Sequence, residues 1–256
     1  MKYLLFFILI FQLNVGSGQE LHHKAEDLPC LNKQYNLFVH LVYDELRNTE
    51  DRERVEAAIE VVNDYFSPIC ISFSICEIDT FENYNFNGLK PNWELNSLSA
   101  QAIGQKRINL YVITGILVNN RLTSYCLGDV NDLNNANLYV TDLDYISHAL
   151  GHFFGLEHTF KDEGEELVDG SNCEIKGDGL CDTPADPLNL ANYYQYGLNG
   201  YIKNCIFIAN LTDANGEYYQ PDVGNIMSFY NCPCGFTRGQ YLKMAKNILS
   251  AKNKHW

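Results

Sequence analysis

The sequence predicts a domain in which strands and helices occur together. Two observations carry this prediction: apolar residues alternate along several short segments, and other apolar residues recur at helical spacing. With 256 residues and 46% hydrophobic content, the chain can bury a full core as one domain, or as two lobes around a cleft.

The predicted elements follow from these periodicities. Alternating apolar, β-branched and aromatic residues predict strands at 36–43, 71–78, 108–114 and 137–141. Thr49 is the expected cap of a helix that runs to about Phe66. The polar connection 79–105 has no clear period. A final helix is predicted from the apolar spacing of Leu242, Ala245, Ile248 and Leu249.

The segment 148–158 contains three of the seven histidines of the chain. His148 and His152 are four residues apart, so a helix would present both imidazoles on one face. Gly155 can end that helix with a positive φ, and the returning chain would bring His158 to the same place. Three nitrogen ligands with an open fourth position are typical of catalytic zinc. We therefore predict a zinc site here; a core helix with incidental histidines is the alternative.

This segment resembles the motif H-E-x-x-H-x-x-G-x-x-H of the metzincin zinc proteases, and the chain is similar to their pappalysin (cytophagalysin) family. Segments 166–173 and 177–187 resemble the sequence of that family after the motif, and 225–230 resembles its Met-turn. One motif position departs. Ala149 stands where the family has the glutamate that acts as general base.

The resemblance implies a fold of the α+β class: a metzincin-like zinc metalloprotease domain with a twisted mixed sheet and helices in the upper part, above a loop-rich, disulfide-tied lower part. It implies that strand 137–141 is the sheet edge along which an extended substrate lies, an ordinary edge strand being the alternative. It also implies that Met227 forms a soft floor beneath the zinc ligands.

A second departure concerns the oxyanion. The family has a tyrosine two residues after the methionine, where its hydroxyl can stabilise the oxyanion on the substrate carbonyl, and this chain has Phe229. Tyr230 follows, but an offset of one residue should aim its side chain elsewhere.

Segment 177–187 is rich in aspartate. Asp178, Asp182 and Asp186, with Thr183, offer the hard oxygen ligands that calcium prefers. The resemblance favours Asp178 and Thr183 as calcium ligands. The alternative is a cluster of Asx-turns satisfied by backbone amides.

The nine cysteines are an odd number, so at least one thiol is free, joined to another chain or bound to metal. If residues 70–76 form one strand, Cys70 and Cys76 at its ends lie roughly 20 Å apart, beyond the ~7 Å Cα limit for a disulfide between them. Cys30 is expected in a disulfide or as an idle thiol, with a zinc cap as the alternative. The resemblance favours the bridges Cys173–Cys181 and Cys205 with Cys232 or Cys234.

The N-terminal residues predict export. Residues 1–18 combine a charged start, an apolar run too short to span a bilayer and small residues, as in a signal peptide. Residues 19–34 are expected to form an extended lead-in and 35–256 the pappalysin-type domain. No later stretch is apolar enough to cross a membrane, so we expect a secreted protein. The net charge of −14, without a basic block, argues against nucleic acid as a partner.

The functional prediction depends on Ala149 and Phe229. A general base contributes ~10²–10⁴ in rate and an oxyanion donor ~10²–10³, so losing both costs at most ~10⁴–10⁷. We therefore predict a secreted, zinc-binding pseudoprotease or strongly impaired protease that holds an extended peptide or protein in its cleft. The alternatives are an active endopeptidase whose glutamate was mutated to alanine, or one that uses another base, Glu157 or Glu163.

Overall fold

The computed structural model describes residues 28–43, 52–82, 107–113, 116–118, 121–123, 125–127, 130 and 136–251. The strands in these ranges are β1 (Lys33–Tyr43), β2 (Ile71–Glu82), β3 (Ile108–Val112), β4 (Ile116–Val118), β5 (Arg121–Thr123), β6 (Tyr125–Leu127) and β7 (Asn137–Val140), followed by β8 (Ile202–Lys203) and β9 (Ile206–Phe207). The helices are α1 (Arg52–Phe66), α2 (Ile146–Phe153), α3 (Leu190–Tyr196) and α4 (Arg238–Ser250).

A mixed sheet with strand order β2-β1-β3-β7-β6 forms the upper part of the molecule. β1 runs parallel to β2 and β3, and β3 runs parallel to β7, whereas β6 is antiparallel to β7. Every residue of β3 and β7 is buried, as expected for strands covered on both faces. The four predicted strands are confirmed, with small differences at their ends.

The prediction that strand 137–141 is the sheet edge is wrong. β7 has β3 on one side and the antiparallel strand β6 on the other, so its backbone hydrogen bonds on both sides are used within the sheet. The edge strand of the sheet on this side is β6. Its three residues are too few to show an apolar alternation, which is why the sequence did not reveal it.

The core lies between this sheet and the helices. α1 buries Val55, Ile59, Val62 and Phe66. The ring of Phe66 lies 5.2 Å from that of Phe73 on β2 and 5.3 Å from that of Phe236, just before α4, as measured between centroids. These aromatic contacts join the sheet to the C-terminal helix. The expected cap of α1, Thr49, lies outside the described residues.

The C-terminal helix α4 is confirmed, and it begins with a capping box. The Thr237 hydroxyl accepts from the Gln240 N–H, and the Gln240 side chain accepts from the Thr237 N–H. One apolar residue of the predicted helical spacing is not buried. Leu249 is 58% exposed, and Tyr241 and Met244 are buried instead.

The lower part is held by a second apolar cluster and by disulfides. The buried residues of this cluster are Phe160, Leu188, Tyr201 and Tyr230. Disulfides join Cys173 to Cys181 and Cys205 to Cys232, which confirms the first expected bridge and decides the second.

A third disulfide joins Cys30 to Cys70, so Cys30 is a structural cysteine and not a zinc cap. Among the cysteines whose side chains are described, Cys76 and Cys234 are free and exposed. Of the described helices, none is long and apolar enough to cross a membrane.

Candidate metal centre

Helix α2 presents the first two histidines of the motif. A 3-10 turn at Leu143–Tyr145 leads into the helix, and the Asp142 carboxylate caps that turn. His148 and His152 lie one helical turn apart, and the centroids of their rings are 4.7 Å apart. The helical spacing read from the sequence is therefore confirmed.

Gly155 ends α2 as predicted. Its φ is +88°, in the left-handed region that favours glycine, and a Cβ at this position would lie 2.3 Å from the side-chain nitrogen of Asn247. That nitrogen donates to the Phe154 carbonyl at 2.8 Å, so a side chain of α4 caps the C-terminal end of α2. The turn returns the chain to the same face and brings His158 beside the other two histidines.

The three imidazoles converge through their Nε2 atoms. Nε2 of His148 lies 3.1 Å from Nε2 of both His152 and His158, and the third separation is 3.0 Å. Nitrogens about 2.0–2.1 Å from one tetrahedral zinc ion would lie about 3.3–3.4 Å apart. Within the described part of the chain, these histidines form a group suited to a metal, and no aspartate or glutamate joins it.

Hydrogen bonds at the opposite ring nitrogens favour the tautomer that a metal requires. Nδ1 of His148 donates to the Ile226 carbonyl at 2.7 Å, and Nδ1 of His152 donates to the Leu156 carbonyl at 2.9 Å. A neutral imidazole with its proton on Nδ1 keeps the lone pair on Nε2. The lone pairs of these two rings therefore point at the common centre.

Burial keeps the histidines neutral. Burial, with a smaller contribution from His152, lowers the pKa of His148 to about 3. The pKa of His158 also lies well below its ordinary value, because the ring is buried beside the other two histidines. Neutral imidazoles are the form that binds zinc, so at neutral pH few protons have to leave before the metal binds.

Met227 lies beneath this centre. It is fully buried, and a Cβ on Gly151 of the zinc helix would lie 2.4 Å from its sulfur. The Met227 carbonyl accepts from the Thr159 N–H at 3.3 Å, next to the third ligand. The glycine in α2 thus allows the sulfur to pack against the helix backbone between the first two histidines, in agreement with the predicted Met-turn.

Comparison with known proteins gives a family match over the part of the chain that contains the three histidines. Residues 129–249, a little under half of the 256 residues, match the model of peptidase family M43, described as "Pregnancy-associated plasma protein-A". This segment is similar to the pappalysin family. A search of curated proteins gives no match. A solved structure, metalloproteinase-II from Bacteroides fragilis, is similar with a TM-score of 0.35 and 14% identity, over 62% of this chain and 51% of that one.

The position of the pappalysin general base is occupied by a methyl group. Ala149 is 3% exposed and belongs to the main core cluster. Its side chain has no atom that can accept a proton. The three histidines are therefore present without the carboxylate that accompanies them in the family motif.

Phe229 occupies the tyrosine position of the family, two residues after Met227. Its ring centroid lies 4.9 Å from that of His158 and 5.5 Å from that of His148, so the side chain does reach the metal centre. A phenyl ring has no hydroxyl to donate to an oxyanion. Tyr230 points away, as expected: its buried hydroxyl donates to Asp186 at 2.6 Å.

The two alternative bases are engaged elsewhere. The exposed carboxylate of Glu157 pairs with Lys161, four residues further along the chain, at 3.1 Å. The carboxylate of Glu163 accepts from the side chain of Asn189 at 2.6 Å, on the surface. Neither glutamate belongs to the group of ligand atoms formed by the histidines.

The aspartates of segment 177–187 accept hydrogen bonds from different parts of the lower half. Asp178 accepts from the Thr183 hydroxyl at 2.9 Å and from the Gln240 amide at 3.0 Å. Asp182 accepts from the N–H of Gly239 at the start of α4. The backbone bonds of the Asx-turn alternative are also formed: Leu180 N–H donates to Asp178 and Leu188 N–H donates to Asp186, each at 3.0 Å. Calcium at Asp178 and Thr183 stays a prediction.

Glu166 is a buried carboxylate that the sequence did not single out. Only 4% of the residue is exposed, and among the described residues no donor is found for its carboxylate. Burial, followed by the charges of Asp178 and Asp186, raises its pKa to about 8. The Glu166 carboxylate also fills the space beside Gly177, where a Cβ would overlap it.

A cavity of about 200 Å³ opens beside His148. Its wall includes Tyr65 of α1, Tyr145, Ser228, Asn231 and Pro233, so it lies between α1, the start of α2 and the segment after Met227. The carboxylates of Asp142 and Asp144 also line it. No sequence pattern indicated this cavity, because its walls come from three distant segments.

Proposed function

We propose that this protein is a secreted, zinc-binding pseudoprotease of the pappalysin family, which holds an extended peptide or protein segment without cleaving it efficiently. The observation that carries the proposal is the combination at one centre: three converging Nε2 atoms next to Ala149 and Phe229. The ligands support zinc binding, whereas the two side chains that would complete proteolysis are an alanine and a phenylalanine.

The histidines fit zinc by number, geometry and tautomer. His148, His152 and His158 would hold the ion, and zinc would supply a Lewis acid that polarises a carbonyl. Without the general base and the oxyanion donor, the rate should fall by up to ~10⁴–10⁷ relative to an active relative. Trace hydrolysis fits this proposal, and efficient turnover does not.

Two features support peptide binding beside the metal. The edge strand β6 has no strand on its outer side within the described sheet, so its backbone could pair with an extended peptide. The cavity beside His148 could receive one side chain of that peptide. Because Asp142 and Asp144 line this cavity, a lysine or arginine side chain fits its charge best.

The first experiment measures zinc content and cleavage on the same sample of secreted protein. We expect one zinc per chain by mass spectrometry and at most trace chelator-sensitive cleavage of a mixed peptide library. The variant His158→Ala is the control, and it should lose most of the zinc. Robust chelator-sensitive cleavage by the unaltered chain would refute the pseudoprotease and show that another base serves the reaction.

A second experiment restores the two family side chains. The double variant Ala149→Glu with Phe229→Tyr should gain chelator-sensitive peptidase activity, and each single variant should gain less. The matched control adds His158→Ala to the double variant and should be inactive. A double variant that binds zinc but remains inactive would count against a retained substrate cleft.

The alternative is an active endopeptidase whose glutamate was mutated to alanine. The single and double variants separate these two hypotheses. If Ala149 was engineered, the natural enzyme worked with Phe229, and restoring the glutamate is sufficient. If the pseudoprotease is natural, both positions impair catalysis. If Ala149→Glu alone gives full activity, Phe229 is compatible with catalysis and the alternative is favoured. If Phe229→Tyr is also needed, the natural pseudoprotease is favoured.

We also propose calcium as a second ion, bound in the lower part with Asp178 and Thr183 as ligands. The position of the buried Glu166 carboxylate supports this proposal, since burial and the negative charges of Asp178 and Asp186 raise its pKa. A hard divalent ion bound by oxygen ligands would neutralise this charge. The test is calcium-dependent thermal stability, developed in the Discussion.

A further inference from the structure

The segment Asn210-Leu211-Thr212 has the sequence Asn-x-Ser/Thr, with a residue other than proline in the middle. No other position in the 256 residues has this pattern. A short pattern of this kind arises often by chance, so its structural setting decides whether it can be used. An acceptor asparagine has to be exposed and must not be needed by the fold.

Asn210 meets both requirements. Asn210 and Thr212 are exposed, and among the described residues no hydrogen bond to the Asn210 side chain is found. The backbone on either side is fixed: Ile208 N–H donates to the Tyr201 carbonyl at 2.7 Å, and the Leu211 carbonyl accepts from Tyr219 N–H at 3.1 Å. The acceptor side chain therefore projects from a segment whose backbone is hydrogen-bonded on both sides of it.

Apolar side chains close to this segment are exposed. Thr212 forms an antiparallel bridge with Tyr218, so Tyr218 lies beside the third residue of the pattern. The exposed fractions of the apolar residues are 65% for Ile206, 50% for Ile208, 38% for Leu211 and 57% for Tyr218.

We propose that Asn210 is an N-glycosylation site and that its glycan covers this apolar surface. The donor is a lipid-pyrophosphate-linked oligosaccharide of the secretory pathway. The Asn210 amide nitrogen forms a bond to C1 of the first sugar and loses a proton, and the bond between C1 and the phosphate oxygen breaks. The lipid pyrophosphate leaves with the electron pair, so no oxidant or reductant is required.

Two further observations favour this chemistry. The disulfides that include Cys205–Cys232, close in sequence to the acceptor, form in an oxidising compartment such as the lumen in which the donor is found. The first sugar of the glycan also has an apolar face, and the ring of Tyr218 lies within reach to pack against it. The glycan would shield the side chains that are otherwise exposed around the acceptor.

The test is cell-free translation of the full chain with microsomes of the endoplasmic reticulum, scored on the fraction protected from added protease. We expect one mass increment that N-glycosidase removes, with Asn210 converted to aspartate. Asn210→Gln and Thr212→Ala should abolish the increment. Asn215→Gln, which changes an exposed asparagine of the same region outside the pattern, should keep it.

A protected chain without the increment would overturn the proposal, as would an increment that persists in Asn210→Gln. A chain that does not enter the microsomes would also overturn it, because the donor would be out of reach. Shielding has its own test. Enzymatic removal of the glycan should raise the binding of an apolar dye in the unaltered chain, and less so in Tyr218→Ser; unchanged dye binding would show that the glycan lies away from the patch.

Discussion

The buried carboxylate of Glu166 predicts a pH-dependent stability that calcium should abolish. The pKa of this group is raised from 4.5 to about 8 by burial and by Asp178 and Asp186. The unfolded chain releases the proton at a lower pH than the folded protein does. The stability of the ion-free protein should therefore fall as the pH rises from about 4.5 to about 8, and it should level off above that range.

The size of the effect follows from the shift. One pKa unit corresponds to about 1.4 kcal/mol, so a shift from 4.5 to about 8 corresponds to at most about 5 kcal/mol. Water that reaches the group lowers this figure, and we expect about 2–3 kcal/mol in practice. Glu166→Gln removes the charge but keeps the shape, and its amide can donate to the neighbouring carboxylates. The variant should be more stable than the unaltered chain above pH 8 and about equal to it near pH 4.5.

The assay is thermal unfolding between pH 4.5 and 9, with chelator and with millimolar calcium. In chelator, the unaltered chain should lose stability with pH while Glu166→Gln changes less. In calcium, both proteins should gain stability, because Glu166→Gln keeps Asp178 and Thr183. The unaltered chain should gain more, most strongly at high pH, because only it has the additional negative charge of Glu166. Glu174→Gln is the matched control, because this exposed glutamate lies on the same segment and should behave like the unaltered chain.

Two results would refute the reasoning, each on a different point. Equal pH dependence of the unaltered chain and Glu166→Gln in chelator would show that the carboxylate is not buried as described. Equal stability with and without calcium at high pH would show that Asp178 and Thr183 do not bind the ion, while leaving the burial of Glu166 intact.

Three further predictions concern the metal centre and the segment beneath it. Gly151→Ala should lower the free energy of unfolding by about 1 kcal/mol and speed zinc release, because its Cβ would meet the sulfur of Met227 at 2.4 Å; unchanged release kinetics would argue against Met227 as the floor. His158→Ala should lower zinc affinity at least tenfold, measured by chelator competition, since only two ligands remain; unchanged affinity would exclude His158 as a ligand. Tyr230→Phe should lower the free energy of unfolding, measured in urea, by about 1.5–3 kcal/mol, because the buried Asp186 loses a donor at 2.6 Å. The loss should grow with pH, since removing this donor raises the pKa of Asp186 further. A loss that does not depend on pH would contradict this account.

Much of the fold follows from local patterns. Apolar alternation located the strands at 36–43 and 71–78, and helical spacing located α4. Strand order was harder, because the pairing of β6 with β7 joins segments whose partners are not visible in either segment alone. A three-residue strand is also too short to carry a periodic signal.

The same division holds at the metal centre. The positions of His148, His152 and Gly155 were predictable because helix geometry relates them over a few residues. The cavity beside His148 was not predictable, since α1, α2 and the segment after Met227 form it together. The burial of Glu166 was equally hidden, because it results from packing against Gly177 and the aspartates of the lower part.

The sequence by itself determined the three histidines of the candidate metal centre, the turn at Gly155 and the two departures from the family motif, Ala149 and Phe229. Each of these depends on residue type and on spacing within one segment. Only the tertiary structure decided that Cys205 pairs with Cys232, that β6 is the sheet edge and that Tyr230 donates to Asp186. The physical reason is that these contacts join residues far apart in the chain, and their geometry is set by packing that no single segment contains.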